Sequence, residues 1–481
     1  MIGCFVNPFN VQQREIAAPS SGQRPRRLPS PLPIWRKCLL AISAVVGVAL
    51  VPGVSNAGTV PTAAVSAAAS GVRVAATQSA AGFVHPGILV SKAGLDVIKA
   101  KLAGGAQPQT TALSEAQTGK ADTGVNSGVA FSSPSWTPRP RAYVGCGSSH
   151  TPNEGCYDET NDASAAYTQA LLWYYTGNRA NAQKAIQILN AWSATLKDHK
   201  FDTSTYSDGH LQAAWAGEVF PRAAEIIRYT FTAKTGESAL NVAQFSTMLR
   251  NAFLPHVING WKGGGANWLL SMAEATINIG IFNDDRATFD KGIAAWRAQV
   301  PATIYLTSDR NSYSQLAGLP MVAPGTMYDS AKTTSTSLKN YWHNPTRWVN
   351  GLQGETCRDM NHMAMGMSAM LNAAETARIQ GIDLYGEQKT RIVAAMELNS
   401  GFINAATTGQ NPPPGWTCSG KANVTSGNWK LTWEIGYNHY ASRKGVSMPN
   451  TKKLIDTVVR ATRWSANLMS DYETLTHVGT S

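Results

Sequence analysis

Four ionisable residues between positions 355 and 362 have the types and spacing most suited to chemistry in this chain. Glu355, Arg358, Asp359 and His362 fall at relative positions 0, 3, 4 and 7. A helix would gather residues with this spacing on one face. A guanidinium there could bind a carboxylate, and an imidazole could accept a proton near neutral pH. Charged groups beside a buried Ala/Met/Leu helix must be paired, so a structural ion-pair network is the other interpretation.

Two further segments carry groups of suitable chemistry. Asn267 follows Gly263–Ala266 and begins a predicted helix, where its amide suits either an N-cap or a bound carboxylate. The segment 433–445, WEIGYNHYASRKG, brings His439 and Tyr440 together, so it could supply both a proton acceptor and a proton donor. The same imidazole and phenol could instead be satisfied within the core.

The elements that must position these residues are almost all helical. From His85 onward, amphipathic patterns alternate with turns rich in Gly, Pro, Asn and Asp, and strand-like alternation is scarce. Many helices with short connections and no heptad repeat predict an all-α fold, an (α/α) toroid (incomplete helical barrel) of paired antiparallel helices. The clearest predicted helices are Ala163–Tyr175, Arg179–Lys197, Gln212–Thr230, Val242–Leu254, Asn267–Ile281, Arg286–Gln299, His362–Gln380, Gln388–Ser400 and Thr451–Leu468.

Two long irregular stretches, 300–352 and 401–433, interrupt these helices. Long loops in a compact domain are often functional. Their aromatic side chains could stack against sugar rings or simply pack the loops. The residues concerned are Tyr305, Tyr313, Tyr328, Tyr341, Trp342, Trp348, Trp416 and Trp429.

The N-terminal region has the organisation of a secretory signal peptide with a long leader. Basic residues precede the apolar run Cys38–Val51, and small residues lead to a cleavage point after Ala57. A membrane anchor is the alternative, although the run is shorter than the ~20 residues that span a bilayer. We therefore expect a signal peptide at 1–57, a flexible linker at 58–84 and one catalytic domain at 85–481, in a secreted or periplasmic protein.

The charge balance favours a polyanionic partner. The whole chain is formally +11, and residues 1–57 hold six basic residues and one acidic residue, which leaves 35 Lys and Arg against 29 Asp and Glu. An exported protein without a basic run or an aromatic RNA-binding motif is not expected to bind nucleic acid. An acidic polysaccharide fits the compartment better. We expect no membrane association after signal cleavage, and a monomer.

Four cysteines remain after the leader, and in an exported protein they suggest two disulfides. Three pairings are possible. We favour Cys146–Cys156, which closes a short loop, and Cys357–Cys418, which ties the segment before Arg358 to a distant loop. A zinc site is the weaker interpretation because neither a CxxC pair nor an HExxH motif occurs. We expect neither a metal nor an organic cofactor.

Five segments carry a resemblance to a known family. They are HPGIL at 85–89 and those at 162–196, 263–296 (GGGANWLLSMAEATINIGIFNDDRATFDKGIAAW), 354–385 (GETCRDMNHMAMGMSAMLNAAETARIQGIDLY) and 433–449 (WEIGYNHYASRKGVSMP). Together they resemble the alginate lyase superfamily of polysaccharide lyases. The resemblance implies an (α/α) toroid and β-elimination on a 1,4-linked polyuronate, which leaves a 4,5-unsaturated sugar at the new chain end.

The resemblance also assigns site residues and shows departures from the family pattern. The family's Asn-His pair falls on Asn267 and Trp268, and its catalytic tyrosine falls on His362, while Arg358 matches an arginine. The chain is thus similar to a distant branch with an R-D-x-x-H motif, for which alginate and glucuronan are both plausible substrates.

The resemblance leaves the proton transfers open. A tyrosine, Tyr305 before Tyr440, is the favoured proton shuttle, with Asn267, Arg358 and His362 holding the substrate carboxylate; His362 is the alternative base. Further substrate contacts are expected from Trp268, Glu355, His439 and His210.

Two other functions stay open. The first is a glycoside hydrolase on a similar barrel, using two carboxylates such as Asp158 and Glu355. The second is a protein that binds an acidic polysaccharide without catalysis. Nucleophile-elbow, P-loop and dinucleotide motifs are missing from the sequence, so ordinary acyl, phosphoryl and hydride transfer have no support.

Overall fold

A computed structural model describes residues 77–118, 128–261, 264–309, 335–424, 433–461 and 472–480. The predicted signal peptide, most of the predicted linker, and Tyr313, Tyr328 and Trp429 lie outside these ranges. The prediction of a flexible linker up to residue 84 was wrong for residues 77–84, which belong to the folded structure. Strand β1 (Thr77–Gln78) pairs antiparallel with β2 (Val84–His85), and Phe83 between them is fully buried. The folded part therefore includes residues before His85, because an apolar ring there completes the core.

Helices dominate the described residues, as predicted. Among these residues, no helix is both long and apolar enough to cross a membrane. In chain order the helices are α1 (Lys92–Ala103), α2 (Gln109–Thr118), α3 (Cys156–Thr176), α4 (Arg179–Thr195), α5 (Gly209–Thr230), α6 (Val242–Met248), α7 (Leu254–Val257), α8 (Ala266–Phe282), α9 (Arg286–Thr303), α10 (Ser335–Tyr341), α11 (Met360–Ile379), α12 (Leu384–Glu387), α13 (Lys389–Thr407), α14 (Glu434–Tyr437), α15 (Pro449–Leu454) and α16 (Glu473–Thr476).

Local sequence explains where these helices start and stop. Ser91, Asn178 and Asp285 each accept a backbone N–H in the first turn of α1, α4 and α9, which satisfies a donor that the helix cannot. Gly177 ends α3 in the left-handed region, at φ 72°. Because α3 and α4 are separated only by this short turn, they pack side by side as an antiparallel pair.

The helices form a closed ring. Helix α3 packs on α5, α5 on α8, α8 on α11, α11 on α14, α14 on α16, and α16 on α1 and α2, which return to α3. A second layer is added where α4 packs on α3 and α9 on α8. The predicted (α/α) toroid is confirmed. The inner helices α3, α5, α8 and α11 are buried along nearly their whole length.

The ring interior contains paired charges as well as apolar side chains. The Arg222 guanidinium and the Glu274 carboxylate are both inaccessible to solvent and contact each other. His199 Nε2 lies 3.0 Å from Glu159 Oε1, also fully buried. Buried charges are tolerated only when they are paired in this way. These pairs explain why the inner helices carry polar residues in otherwise apolar runs.

A small sheet and two disulfides hold the loops at one end of the ring. Strand β3 (Tyr143–Cys146) lies between β4 (Asn153–Glu154), which is antiparallel to it, and β5 (Asp198–Lys200), which is parallel. The predicted bridges are both present: Cys146 is bonded to Cys156 and Cys357 to Cys418. The first secures the sheet to the start of α3. The second anchors the turn that precedes α11.

Candidate active site

The start of α11 holds an aspartate–histidine pair. The Asp359 side chain caps this helix by accepting the backbone N–H groups of Asn361 and His362, each at 2.9 Å. Its Oδ2 lies 2.6 Å from His362 Nδ1. Burial alone would raise the pKa of Asp359, but the hydrogen bonds and positive charge of His362 lower it below its usual value. The imidazole is 29 % exposed, so its second nitrogen, Nε2, is left for a ligand.

The prediction of one helical face for Glu355 through His362 was wrong. Residues 355–359 form a tight turn, in which the Arg358 N–H donates to the Glu355 carbonyl, and the helix begins only at Met360. Asp359 is responsible, because its capping side chain ends the turn and starts the helix. The turn still brings three of the groups together, since Arg358 is 3.6 Å from Glu355 Oε2 and 4.0 Å from Asp359 Oδ2.

Glu355 lies between a histidine and an arginine beneath the site. The carboxylate is buried, and its Oε2 lies 3.2 Å from His343 Nε2. Arg358, the other ion-pair partner, is 42 % exposed and can reach a ligand. A Cβ atom at Gly265 would lie 2.7 Å from Glu355 Oε1, so only glycine leaves room for this carboxylate. Glu355 therefore positions Arg358 and His343, and its burial argues against the predicted direct contact with substrate.

The start of α8 lies against the same turn. Asn267 is 1 % exposed, and the N-cap position belongs to Gly265 rather than to Asn267. Its Nδ2 faces Met365 Sδ at 4.0 Å, while its Oδ1 has no hydrogen-bond partner among the described side chains and backbone groups. Asn267 is therefore almost fully covered, and the predicted contact between its amide and a substrate carboxylate stays a prediction.

Asp208, at the start of α5, completes the charged part of the site. Its backbone N–H donates to the Cys146 carbonyl at 2.9 Å, and its carboxylate accepts a backbone N–H from Ser149. Burial raises the pKa of Asp208, while the nearby Arg358 and His362 oppose the rise. The pKa of Asp208 is therefore shifted towards the protonated carboxyl group, whereas the pKa of Asp359 is shifted towards the ionised carboxylate.

One aromatic group lies beside the start of α8. Trp268 is half-buried and tilted against Trp261, with ring centroids 5.1 Å apart. His210 stacks on Phe201 at 3.6 Å, and its Nδ1 is 3.0 Å from His256 Nδ1. Burial and the neighbouring His256 lower the pKa of His210 to about 4, so this imidazole is neutral at pH 7. Trp268 and His210 stay predicted substrate contacts.

A second aromatic group lies near Asp208. His150 stacks on Tyr157 with ring centroids 4.6 Å apart and on Trp215 at 6.3 Å. His150 follows Ser149, whose N–H reaches Asp208, so these rings adjoin the charged residues. Flat aromatic surfaces of this kind suit the apolar faces of sugar rings.

Tyr305 is less accessible than its predicted role requires. It is 5 % exposed and packs in a small apolar cluster with Leu338, Trp342 and Leu352. Its backbone N–H donates to the Leu352 carbonyl at 2.8 Å, only a few residues before the Glu355 turn. The side chain therefore lies near the site region but within packed aromatic rings.

Two predicted site residues are corrected, because the structure puts them elsewhere. The Tyr440 hydroxyl donates to the Tyr385 carbonyl at 2.8 Å, and the residue is 1 % exposed. His439 stacks on Tyr385 at 3.9 Å. Burial lowers the pKa of His439, and Glu375, near the far end of α11 from His362, opposes the change. Both residues therefore lie towards the opposite end of that helix, where Tyr440 is hydrogen-bonded within the core and His439 packs against Tyr385.

Sequence reasoning missed several residues of the site. His343 falls in a stretch read as an irregular loop, and nothing in its own sequence context pairs it with Glu355. Asp208 stands in the segment SDG immediately before a helix. This pattern is typical of an N-cap, so the sequence contained a signal that could have identified Asp208. His150 and Trp261 have no signal in one sequence, because only the closed ring brings their loops to the helix starts.

Comparison with known proteins finds similar solved structures at low sequence identity. Solved structures similar to this chain include alginate lyases, which is the class that the sequence motifs resemble. Alginate lyase A1-III from Sphingomonas species A1 is 15% identical, with a TM-score of 0.46 over 76% of this chain and 92% of that chain. A variant of A1-III in complex with a tetrasaccharide is 14% identical, with a TM-score of 0.48 over 75% and 88%.

An alginate lyase from Bacteroides ovatus is 11% identical to this chain, with a TM-score of 0.45 over 82% of this chain and 99% of that chain. No protein-family model matches the sequence. No curated protein matches it significantly.

Proposed function

We propose that this protein is a secreted lyase that cleaves a 1,4-linked polyuronate, alginate or glucuronan, by β-elimination. The observation that carries the proposal is the pairing, at the start of α11, of an exposed Arg358 with a His362 held by Asp359. Elimination needs a cation to neutralise the uronate carboxylate and a base for the C5 proton. These two groups provide both within one turn of chain.

Arg358 is assigned to the substrate carboxylate. Negative charge builds on that carboxyl group as the C5 proton leaves, so a fixed cation stabilises the transition state more than the ground state. The starts of α5 and α8 add partial positive charge from their helix dipoles. Buried Glu355 fixes the Arg358 side chain through their ion pair.

His362 is assigned as the base. Its Nδ1 is engaged by Asp359 at 2.6 Å, so Nε2 accepts the C5 proton and the carboxylate stabilises the imidazolium that forms. In this proposal His362, rather than a tyrosine, is the first proton acceptor. Two observations support it: the Tyr440 hydroxyl is bonded to the Tyr385 carbonyl within the core, and Tyr305 is almost fully covered.

Asp208 is assigned as the donor to the O4 leaving group. Its pKa is raised by burial, and a carboxyl group must hold its proton to act as an acid. Tyr305 is the second proposed donor, which would act only after the small apolar cluster around it opens. The variants Asp208→Asn and Tyr305→Phe separate the two donors when each is measured on substrates with a good and a poor leaving group. Loss of the true proton donor should reduce activity more on the substrate with the poor leaving group.

The test is the ultraviolet absorbance of the conjugated product. Incubation with polymannuronate, polyguluronate and glucuronan should give a rising band with at least one polymer, and His362→Ala should remove it. Asp158→Asn is a control, since the Asp158 carboxylate pairs with Arg141 and has no described contact with Arg358, Asp359 or His362. If none of the three polymers gives the band, the proposal fails.

A glycoside hydrolase is the second candidate, and one observation favours it. Asp208 and Asp359 have pKa values shifted in opposite directions, which is the pattern of an acid and a base that share a glycosidic bond. Hydrolysis would give new reducing ends without an ultraviolet band. Measuring both signals on the same digest therefore separates the two functions.

A further inference from the structure

The far end of α11 from His362 adjoins two neighbouring cavities. One has a volume of about 290 Å³ and the other about 680 Å³, and both are lined by Arg378, Arg443 and Thr480. Arg378 is separated from His362 by 16 positions of one helix, or roughly 24 Å along its axis. We call the larger cavity the basal cavity; its lining includes Arg378, Arg443, Lys444, His439, Gly479 and Thr480. The basal cavity is thus separate from the candidate active site.

Two guanidinium groups meet at one buried carboxylate beside the basal cavity. Arg378 Nη2 lies 2.8 Å and Arg443 Nη1 3.1 Å from the oxygens of Glu375. Burial would raise the pKa of Glu375, but His477 and the two arginines hold it at about 2, so it is ionised at neutral pH. One negative charge then faces two positive charges, which leaves one in excess.

Further positive charge lies at the rim. Lys444 is exposed and has no ion-pair partner within the described ranges. Lys101 Nζ lies close to Gly479, which lines the larger cavity. Asp383 is the acidic residue that lines the same cavity, and one of its oxygens caps α12. The described charges around the basal cavity therefore sum to a positive value.

His439 gives the cavity a neutral polar wall. It is 4 % exposed and lines the larger cavity, and its Nδ1 has no hydrogen-bond partner among the groups described. Burial lowers its pKa to about 4, so the ring is uncharged at pH 7. A buried, unsatisfied ring nitrogen costs free energy unless a ligand or water pairs with it.

We propose that the basal cavity binds a small ligand that carries an oxyanion, either a carboxylate or a phosphate group. Arg378, Arg443 and Lys444 supply charge-assisted hydrogen bonds to the oxyanion, and His439 contacts its polar substituents. The cavity is large enough for a monosaccharide-sized ligand. This proposal does not depend on the reaction assigned to the other end of α11.

The test is calorimetric titration of the full chain with inorganic phosphate and, separately, with glucuronate. Ionic strength is held constant and glucose serves as the neutral control. Saturable binding of at least one anion at one site per chain is expected, and the tighter anion identifies the source of the oxyanion. Lys444→Glu should weaken that binding about tenfold or more, whereas Lys389→Glu, an exposed lysine that lines neither cavity, should leave it unchanged.

The Arg358→Ala variant separates this site from the candidate active site. Binding that persists in Arg358→Ala and is lost in Lys444→Glu supports the basal cavity. The proposal is overturned if neither anion binds saturably, if glucose binds equally well, if Lys444→Glu binds as the wild type does, or if Arg358→Ala abolishes binding. Because Lys444 is exposed, the substitution is not expected to unfold the chain, and a thermal melt of each variant verifies this.

Discussion

His362 Nδ1 lies 2.6 Å from Asp359 Oδ2, and the other oxygen of the same carboxylate caps the helix on which His362 stands. One aspartate thus fixes both the start of α11 and the orientation of the imidazole. The two roles need different chemistry. Capping needs only an oxygen acceptor, whereas stabilising an imidazolium needs a negative charge.

Asp359→Asn therefore should separate fold from function. Asparagine caps helices about as well as aspartate, so the melting temperature should change little, while kcat should fall by about 10²-fold or more because the imidazolium loses its counter-charge. Steady-state kinetics on a polyuronate and a thermal melt measure the two effects. Asp285→Asn is the matched control, since Asp285 caps α9 by accepting the Thr288 N–H and has no histidine partner. Equal losses of kcat in both variants would refute the assignment.

Gly265→Ala should damage the site through Glu355. The added Cβ would lie 2.7 Å from Glu355 Oε1, and the backbone at Gly265, with φ −75° and ψ 178°, accepts any residue. The damage is thus steric, and we expect a loss of about 1–3 kcal/mol in stability and a lower kcat/KM as Arg358 moves. Denaturant unfolding and kinetics test both.

Gly104→Ala is the control for that substitution. Its nearest contact would be 3.6 Å, an ordinary van der Waals distance, so neither stability nor kcat/KM should change much. An unaltered kcat/KM in Gly265→Ala would show that Glu355 does not position the catalytic groups.

Asp208→Asn should change the pH profile as well as the rate. If the protonated carboxyl of Asp208 is the acid, kcat falls as the pH rises through its raised pKa. The variant should be slower at every pH and should lack this alkaline decline. A profile of kcat measured between pH 4 and 9 tests the prediction, and a variant that keeps the decline would assign it to another group.

Much of the fold could be read from the sequence because its signals are local. The predicted Asn267–Ile281 helix is observed as α8 (Ala266–Phe282), and Arg179–Lys197 as α4 (Arg179–Thr195). Periodicity and capping residues act within one or two turns, so one sequence records them. The cysteine pairing was favoured on loop closure and is confirmed.

The site was harder to read, because its members meet only through the ring. Arg358 and His362 were identified from one segment, but Asp208 joins them from a loop distant in sequence, and His343 from the loop that precedes the Glu355 turn. His439 and Tyr440 illustrate the opposite error. Their types suit proton transfer, yet their packing against Tyr385 depends on the tertiary fold, which residue spacing does not reveal. Residue type suggests chemistry, whereas only packing decides exposure.

Removing the Cys357–Cys418 bridge should affect binding and stability together. Cys357 precedes Arg358, so Cys357→Ser with Cys418→Ser frees the turn that presents the guanidinium, and KM should rise. The bridge spans 61 positions, against 10 for Cys146–Cys156. Because longer loops are more strongly constrained, its loss should cost about 2–4 kcal/mol, more than loss of the shorter bridge. Thermal melts and KM values of the two double-serine variants provide the comparison, and an unchanged KM would contradict the role of the bridge in the site.

Acid should destabilise the folded protein through its buried histidines. Burial lowers the pKa of His477 to about 4, and this residue is hydrogen-bonded to Leu89 and Thr476. An unfolded chain binds a proton at this imidazole below about pH 6.5, whereas the folded chain does not until about pH 4. Protons therefore favour unfolding, and the stabilisation present above pH 6.5 is lost as the pH falls towards 4.

Each such group should lower the free energy of unfolding by about 1.4 kcal/mol per pH unit across this window. Replacing His477 with Gln removes one titrating group, so the variant should show a shallower loss of stability between pH 6.5 and 4, whatever its stability at pH 7. Urea unfolding at several pH values measures the slope. A variant whose slope equals that of the wild type would mean that His477 is protonated in the folded protein, and that its buried hydrogen bonds to Leu89 and Thr476 accommodate the charge.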